Sequence, residues 1–259
     1  MNAVAIILGI VIIILVYVLY KYFTSTATTL QSSMVDLKIS PPEITKITNP
    51  TNTQYAYGLW VYVNGWDQGA NKVFFSHRGV MNVYLLKDQP SLCVDVTMSD
   101  ENVKSIIITP NFPLQKWVYI IISMDNQFLD VYLDGKLVKS SRLSNSTGST
   151  FPKVPSNNPQ VFLGNSNTLN RLYNGNSTTA PPTTAASIPT TSTTVTSFNP
   201  FNAFATYFYR WNTAMDPGTA WRYYMKGNGQ NSLLGNMSAY GVNMQVTQNN
   251  VVSSTYALL

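Results

Sequence analysis

Apolar positions along the chain fall into two kinds of run. The first is Ala3 to Tyr20, almost continuous Ile, Val and Leu, with no charged side chain from Met1 to Tyr20. The second kind is short and alternating, and it is densest between Leu114 and Leu143, LQKWVYIIISMDNQFLDVYLDGKLVKSSRL. There Trp117 to Met124 is apolar on both alternating faces, which predicts a strand lying between two layers. Asp125-Asn126 is a turn pair. In the next run Leu129, Val131 and Leu133 alternate with Asp130, Tyr132 and Asp134, so one side, Asp130/Tyr132, is expected to face solvent or a groove. Asp134-Gly135 supplies the positive-φ positions of a tight hairpin, and Lys136 to Leu143 leaves as a third strand. A doubly buried strand within a meander requires a second sheet above it, which is a β-sandwich.

The same alternation places further strands at Tyr55–Val63, Lys72–His77, Met81–Leu86, Ser91–Met98 and Lys104–Ile108, with Gly65, Gly69 and Gly79 marking turns. Phe204 to Trp211 reads as an aromatic strand. After it, Asp216 can cap a short helix with Pro217 at its first position, and Ala220, Trp221, Tyr224 and Met225 share a helical face. Lys226 lies in the last turn and Gly227 ends it. Tyr240–Val246 and Val251–Ala257 form a final hairpin around Asn249-Asn250, which ties the chain end into a sheet. Two stretches cannot bury a core. Residues 24–54 are polar and broken by Pro41-Pro42 and Pro50, a tether. Residues 174–199, rich in Thr, Ser, Ala and Pro without a charge, form a long exposed loop. The expected organisation is a transmembrane anchor over 1–23, the tether over 24–54 and a sandwich over 55–259.

Several of these runs carry a resemblance. Pro113, Gln115-Lys116-Trp117, the apolar strand and then Leu129 to Leu137 are similar to the core of laminin-G-like, concanavalin A-type lectin domains. The version that the chain resembles is carried by virion proteins of large nucleocytoplasmic DNA viruses. Tyr55 to Val63 followed by Asn64-Gly65-Trp66, Val161 to Asn165, and Phe204 to Gly229 extend it over about two thirds of the chain. The resemblance implies an all-β fold, a two-sheet antiparallel jelly roll with one short helix. It also implies a place in the virion, as a minor capsid component, more firmly than it implies any ligand.

As a helix, Ala3 to Tyr20 reaches about 27 Å, near the thickness of a bilayer's hydrocarbon core. Tyr17, Tyr20, Tyr22, Phe23 and Lys21 form an interfacial belt at one end. A cleaved signal peptide, with Ser25-Thr26-Ala27 as its small-residue site, is the competing reading. It lacks a basic leader and its apolar run is too long. Lys21, Lys38 and Lys46 follow the helix, which places the following domain on the cytosolic side. The expectation is therefore a single-pass protein of the viral inner membrane, its bilayer contact made by residues 3–20.

Composition narrows the chemistry. Only 10% of residues are charged, and 16 basic against 11 acidic residues leave a net charge of +5. The bases are scattered, without an aromatic-basic stripe, so nucleic acid is not an expected partner. The single cysteine, Cys93, cannot form an intrachain disulfide and has His77 as its only histidine. A glucanase of this fold needs paired carboxylates about 5 Å apart. The two glutamates, Glu43 and Glu101, have no such partner, and of the pair Asp130 and Asp134 the second is engaged by the hairpin turn. No enzyme is expected and no cofactor, though calcium is a candidate ion for a lectin site. A sugar site would combine aromatic faces with amide or carboxylate groups, and the candidates are Trp66, Asp67, Tyr84, Asp95, Asn165 and Asn167. Trp60, Trp117 and Trp211 read as core. Asn145, Asn176 and Asn236 stand in Asn-x-Ser/Thr sequons. Two functions follow: a non-enzymatic structural protein linking the inner membrane to the capsid shell, or a lectin-like protein recognising glycans.

Overall fold

The computed structural model describes residues 9, 11–17, 19, 27–39, 41–66, 71–144, 150–164 and 201–228, and the backbone of 243–248 and 251–257. Two antiparallel sheets face each other. The larger runs β1 (Ala27–Gln31), β12 (Ala203–Trp211), β3 (Gln54–Val63), β8 (Trp117–Asp125), β9 (Phe128–Leu133), β10 (Lys136–Arg142), with β2 (Val35–Asp36) also paired to β12. The smaller runs β11 (Val161–Leu163), β4 (Lys72–His77), β5 (Met81–Leu85), β6 (Leu92–Thr97), β7 (Val103–Thr109). The strands expected from alternation are present to within a residue or two. The chain end, β13 (Asn243–Gln248) with β14 (Val251–Ala257), pairs with itself as a two-stranded sheet rather than joining either layer.

The interior is filled by alternate residues of both sheets. Leu59, Val61, Val118, Ile120, Ile122, Leu129 and Val131 meet Phe74, Phe75, Val83, Val94 and Ile106, all buried. β8 is doubly buried as its composition requires, because Tyr119 and Ile121 point the other way into a second apolar layer. The β9–β10 connection has Asp134 at φ 49° and Gly135 at φ 75°, the left-handed pair of a tight hairpin. Asp134 also accepts a 2.9 Å bond from the Tyr119 backbone N–H, locking β8 to the turn.

Three expectations are corrected. The Asp130/Tyr132 side of β9 does not look into an open groove: Tyr132 is buried, and its Oη donates to the Met215 carbonyl at 3.0 Å. The segment before α1 (Pro217–Met225) fills that space, with Met215 N–H donating to Ser123 Oγ at 2.8 Å. The described part of the tether is woven into the fold. Ala27 pairs with Trp211 and Val35 with Ala205, Leu37 is fully buried, and Ile44 bridges Val161. The fully buried Arg210 guanidinium completes the attachment by donating to the carbonyls of Thr48 (2.7 Å) and Asn49 (3.2 Å). Polar composition misleads here because an edge strand is held by its backbone, and one leucine suffices to pin the segment.

The third correction concerns the anchor. Among the described residues no helix is long and apolar enough to cross a membrane. The structure thus does not show the expected single-pass anchor, its bilayer contact or the inner-membrane location.

Candidate functional site

The outer face of the larger sheet is aromatic. β3 places Ala56, Gly58, Trp60 and Tyr62 there, β8 places Trp117, Tyr119 and Ile121, and β12 places Phe204, Tyr209 and Trp211. A bulge between Thr206 and Tyr209 holds Tyr207 at φ 49°, a left-handed conformation that costs a tyrosine energy. Its ring stacks on Tyr209 with centroids 6.0 Å apart, so the bulge brings two tyrosines side by side.

Helix α1 lies over the middle of this face. Asp216 caps it by accepting from Thr219 N–H at 2.9 Å, and Gly227 (φ 72°) follows it. Its inward residues are Ala220, Tyr223 and Tyr224. Tyr224 stacks on Trp60 at 5.6 Å, and Tyr223 meets Trp211 edge-on at 4.8 Å. Of the four residues expected to share a helical face, Ala220 and Tyr224 pack inward while Trp221 and Met225 are 46% and 64% exposed. Two glycines permit this packing. A Cβ on Gly58 would stand 2.9 Å from the Trp211 ring, and one on Gly135 would stand 3.1 Å from the Trp221 Cα.

Beyond the helix, one row of the face stays open. Phe204, Tyr62 and Trp117 are in register across β12, β3 and β8, and all three are half-buried. The Tyr62 and Trp117 rings are 5.6 Å apart. The loops at this end carry Asn64, Gln115 and Asn202, knitted together by bonds from Asn64 N–H to Asn202 O (2.9 Å) and from Gln115 N–H to Val63 O (2.9 Å). Lys116 adds a cation, 3.8 Å from Asp134 Oδ2. An aromatic shelf bordered by amides can stack on the C–H face of a ring and bond its hydroxyls.

The outer face of the smaller sheet is of another kind. Val73, Tyr84, Leu86, Cys93 and Phe162 form a buried layer. Beside them Tyr84 Oη donates to Asp95 Oδ1 at 3.0 Å, and Ser76 Oγ donates to Asn82 Oδ1. Two sequence candidates, Tyr84 and Asp95, thus come together, but they are 0% and 2% exposed. As a solvent-facing sugar site they are corrected: each occupies the other's polar group. Burial, followed by the charge of Asp95, pushes the Cys93 thiol up. His77 points the opposite way, into the sandwich, with Nδ1 3.2 Å from Tyr57 Oη. Burial first, and the Arg210 charge second, lower its pKa to about 4. Cys93 and His77 therefore form no catalytic pair.

Of the other candidates, Trp66 is half-buried against the core, with Lys72 Nζ 4.2 Å from its ring centroid. Asp67, Asn165 and Asn167 lie outside the described residues, as do the sequons Asn145, Asn176 and Asn236 and the loop 174–199. Among the described residues no three His, Cys, Asp or Glu side chains converge as a metal site would require. Trp117, read as core with Trp60 and Trp211, is half-buried on this open face, and Tyr62 and Phe204 were not singled out from sequence. The available signal was alternation: Tyr62 shares the face of Trp60, two positions on.

At the opposite end of β3 and β8, a half-open pocket of about 250 Å³ lies between the sheets. Tyr55, Met124, Gln127, Phe151, Lys153 and Val154 are among the residues that line it.

Comparison with known proteins gives the family. The model described as Concanavalin A-like lectin/glucanases superfamily matches residues 39–180, more than half of the chain. No curated protein matches. Among solved structures, the chain is similar to the binding domain of botulinum neurotoxin serotype D/C, with 12% identity, a TM-score of 0.47, and coverage of 71% of this chain and 40% of that one. It is also similar to the binding domain of botulinum neurotoxin DC in complex with rat synaptotagmin II (12%, 0.45, 78% and 43%). The receptor binding domain of botulinum neurotoxin type G is a third (15%, 0.43, 77% and 46%). The chain spans less than half the length of these three chains.

Proposed function

The chain belongs to the concanavalin A-like lectin/glucanases superfamily, and from that premise we propose that it is a non-catalytic carbohydrate-recognition protein. The half-open row Phe204–Tyr62–Trp117 carries this reading, because three aromatic residues in register, the Tyr62 and Trp117 rings tilted 51° to each other, expose apolar surface while the neighbouring loops supply amides. The absence of catalysis is part of the proposal. Glu101 is ion-paired with Lys153 at 2.6 Å, and Asp134 is committed to the Tyr119 N–H, so neither is half of a free carboxylate pair.

The full chain is to be offered to a glycan array with and without calcium. Binding to one glycan class, inhibited by the free sugar and weakened at least tenfold by both Trp117→Ala and Tyr62→Ala with the melting temperature held within a few degrees, is the expected result. Binding indifferent to both substitutions in folded protein, or none at all, overturns the assignment of this surface.

A structural role in a virion shell is the second reading. It rests on the sequence resemblance, and the exposed Trp221 and Met225 of α1 favour it, since they widen the apolar surface beyond what a sugar needs. Binding to disassembled shell proteins that ignores sugars and is abolished by Trp221→Ala would favour it over the lectin.

A further inference from the structure

Among the described residues the larger sheet ends at β10, which pairs with β9 on one side and with no strand on the other. Its sequence is KLVKSSR, and every residue but Ser141 is exposed. Leu137 and Val138 are 49% and 43% exposed, and Phe128, opposite Arg142 on β9, is 44% exposed. Such an edge presents backbone donors and acceptors to any extended chain that reaches it.

The phase of the ladder identifies the groups on offer. Leu143 N–H donates inward to Gln127 O at 2.8 Å, so residues alternating with it, Arg142 and Ser140, turn their backbone groups outward. The Arg142 carbonyl already accepts from Lys104 Nζ at 3.2 Å. The Ser140 N–H and C=O are left facing out. Around them stand Lys136, Lys139 and Arg142, and the strand itself carries no acid.

Charge decides the occupant. Three cations along an edge guard it against self-association, because β10 laid on β10 of a second copy would oppose six positive side chains. The same cations attract a strand of opposite sign. The register shift between Leu137 and Lys139 puts Lys136 and Lys139, opposite Leu133 and Val131, on one face of the strand and Leu137, opposite Tyr132, on the other, which matches a segment in which acidic and apolar residues alternate. We propose that the β10 edge takes an acidic, extended peptide segment as an added strand, with Ser140 supplying the backbone pair and Lys136 and Lys139, on one face of the strand, the charge selection. This site is independent of the aromatic row, which lies on the face of β12, β3 and β8.

A fluorescein-labelled nonapeptide of alternating Glu and Val, titrated with the full chain and followed by anisotropy, tests it. The expected result is saturable binding that weakens at least tenfold in Lys139→Glu, whose exposed site leaves the melting temperature unchanged. Binding should weaken as far when the peptide's ladder amides are N-methylated, and Ser140 N–H should gain protection from hydrogen exchange in the complex. Equal binding of a Lys-Val peptide or of the N-methylated peptide overturns the proposal. So does displacement by a single-stranded oligonucleotide without Ser140 protection, which would make the edge a polyanion site. Failure of the peptide to bind, or self-association abolished by Ser140→Pro, overturns it equally.

Discussion

The outer faces of the two sheets are built to opposite plans. On the smaller sheet, polar groups are buried and paired with one another: Tyr84 with Asp95, Ser76 with Asn82. On the larger sheet the face is a continuous aromatic layer, mostly roofed by α1 but open along Phe204, Tyr62 and Trp117. The contrast teaches where recognition can reside. A buried polar pair has spent its hydrogen-bonding capacity and contributes to a unique fold, whereas a half-exposed ring keeps unsatisfied apolar area that a ligand can cover. Residue type alone does not separate the two, since tyrosines stand on both faces.

Ways of breaking this contrast follow, in order of expected effect. Trp211→Ala removes a fully buried ring that holds α1 through Tyr223, and is expected to cost about 3–5 kcal/mol in urea unfolding. If the loss is under ~1 kcal/mol, α1 is not a packed roof. Next is the polar group sealed between the sheets. The His77 pKa, lowered to about 4 by burial and then by Arg210, means that the unfolded chain takes up a proton near its ordinary 6.5 while the folded chain stays neutral. Stability supplied by His77 is thus complete above pH 6.5 and is lost as pH falls toward 4, by roughly 3 kcal/mol. Melting followed from pH 7.5 to 4 should show a decline that His77→Gln flattens, and an identical decline in the variant refutes the assignment.

Smaller effects sharpen the comparison. Tyr84→Phe removes one buried hydrogen bond to Asp95 Oδ1 and should cost about 1–3 kcal/mol, with sugar binding unchanged. Trp117→Ala removes a half-exposed ring, so its stability cost should be about 1 kcal/mol while its loss of binding is the larger readout. Reversal of those two binding phenotypes would exchange the roles assigned to the faces.

Much of the fold was legible because strand signals are local. The alternation in Leu129–Leu133, the Asp-Gly turn and the Asp216-Pro217 helix start each reside within a few residues, and each is where it was expected. The tether was misread because pairing of β1 and β2 with β12 depends on partners some 170 residues away, and backbone pairing has no compositional mark. The helix was legible in part: Ala220 and Tyr224 of the expected face do turn to the sheet, whereas Trp221 lies over the Gly135 turn and Tyr223 meets Trp211, contacts that only the tertiary packing decides.

By itself, then, the sequence determined an all-β sandwich, its doubly buried central strand, its tight hairpin and the shortage of glutamates, because period, turn chemistry and composition act over short distances. Only the tertiary structure decided which tyrosines are sealed and which are open, that Tyr84 and Asp95 satisfy each other, and that Phe204, Tyr62 and Trp117 align into one row. Those outcomes depend on register between distant strands and on where one short helix comes to rest. A residue's exposure belongs to its neighbours in space as much as to its own chemistry.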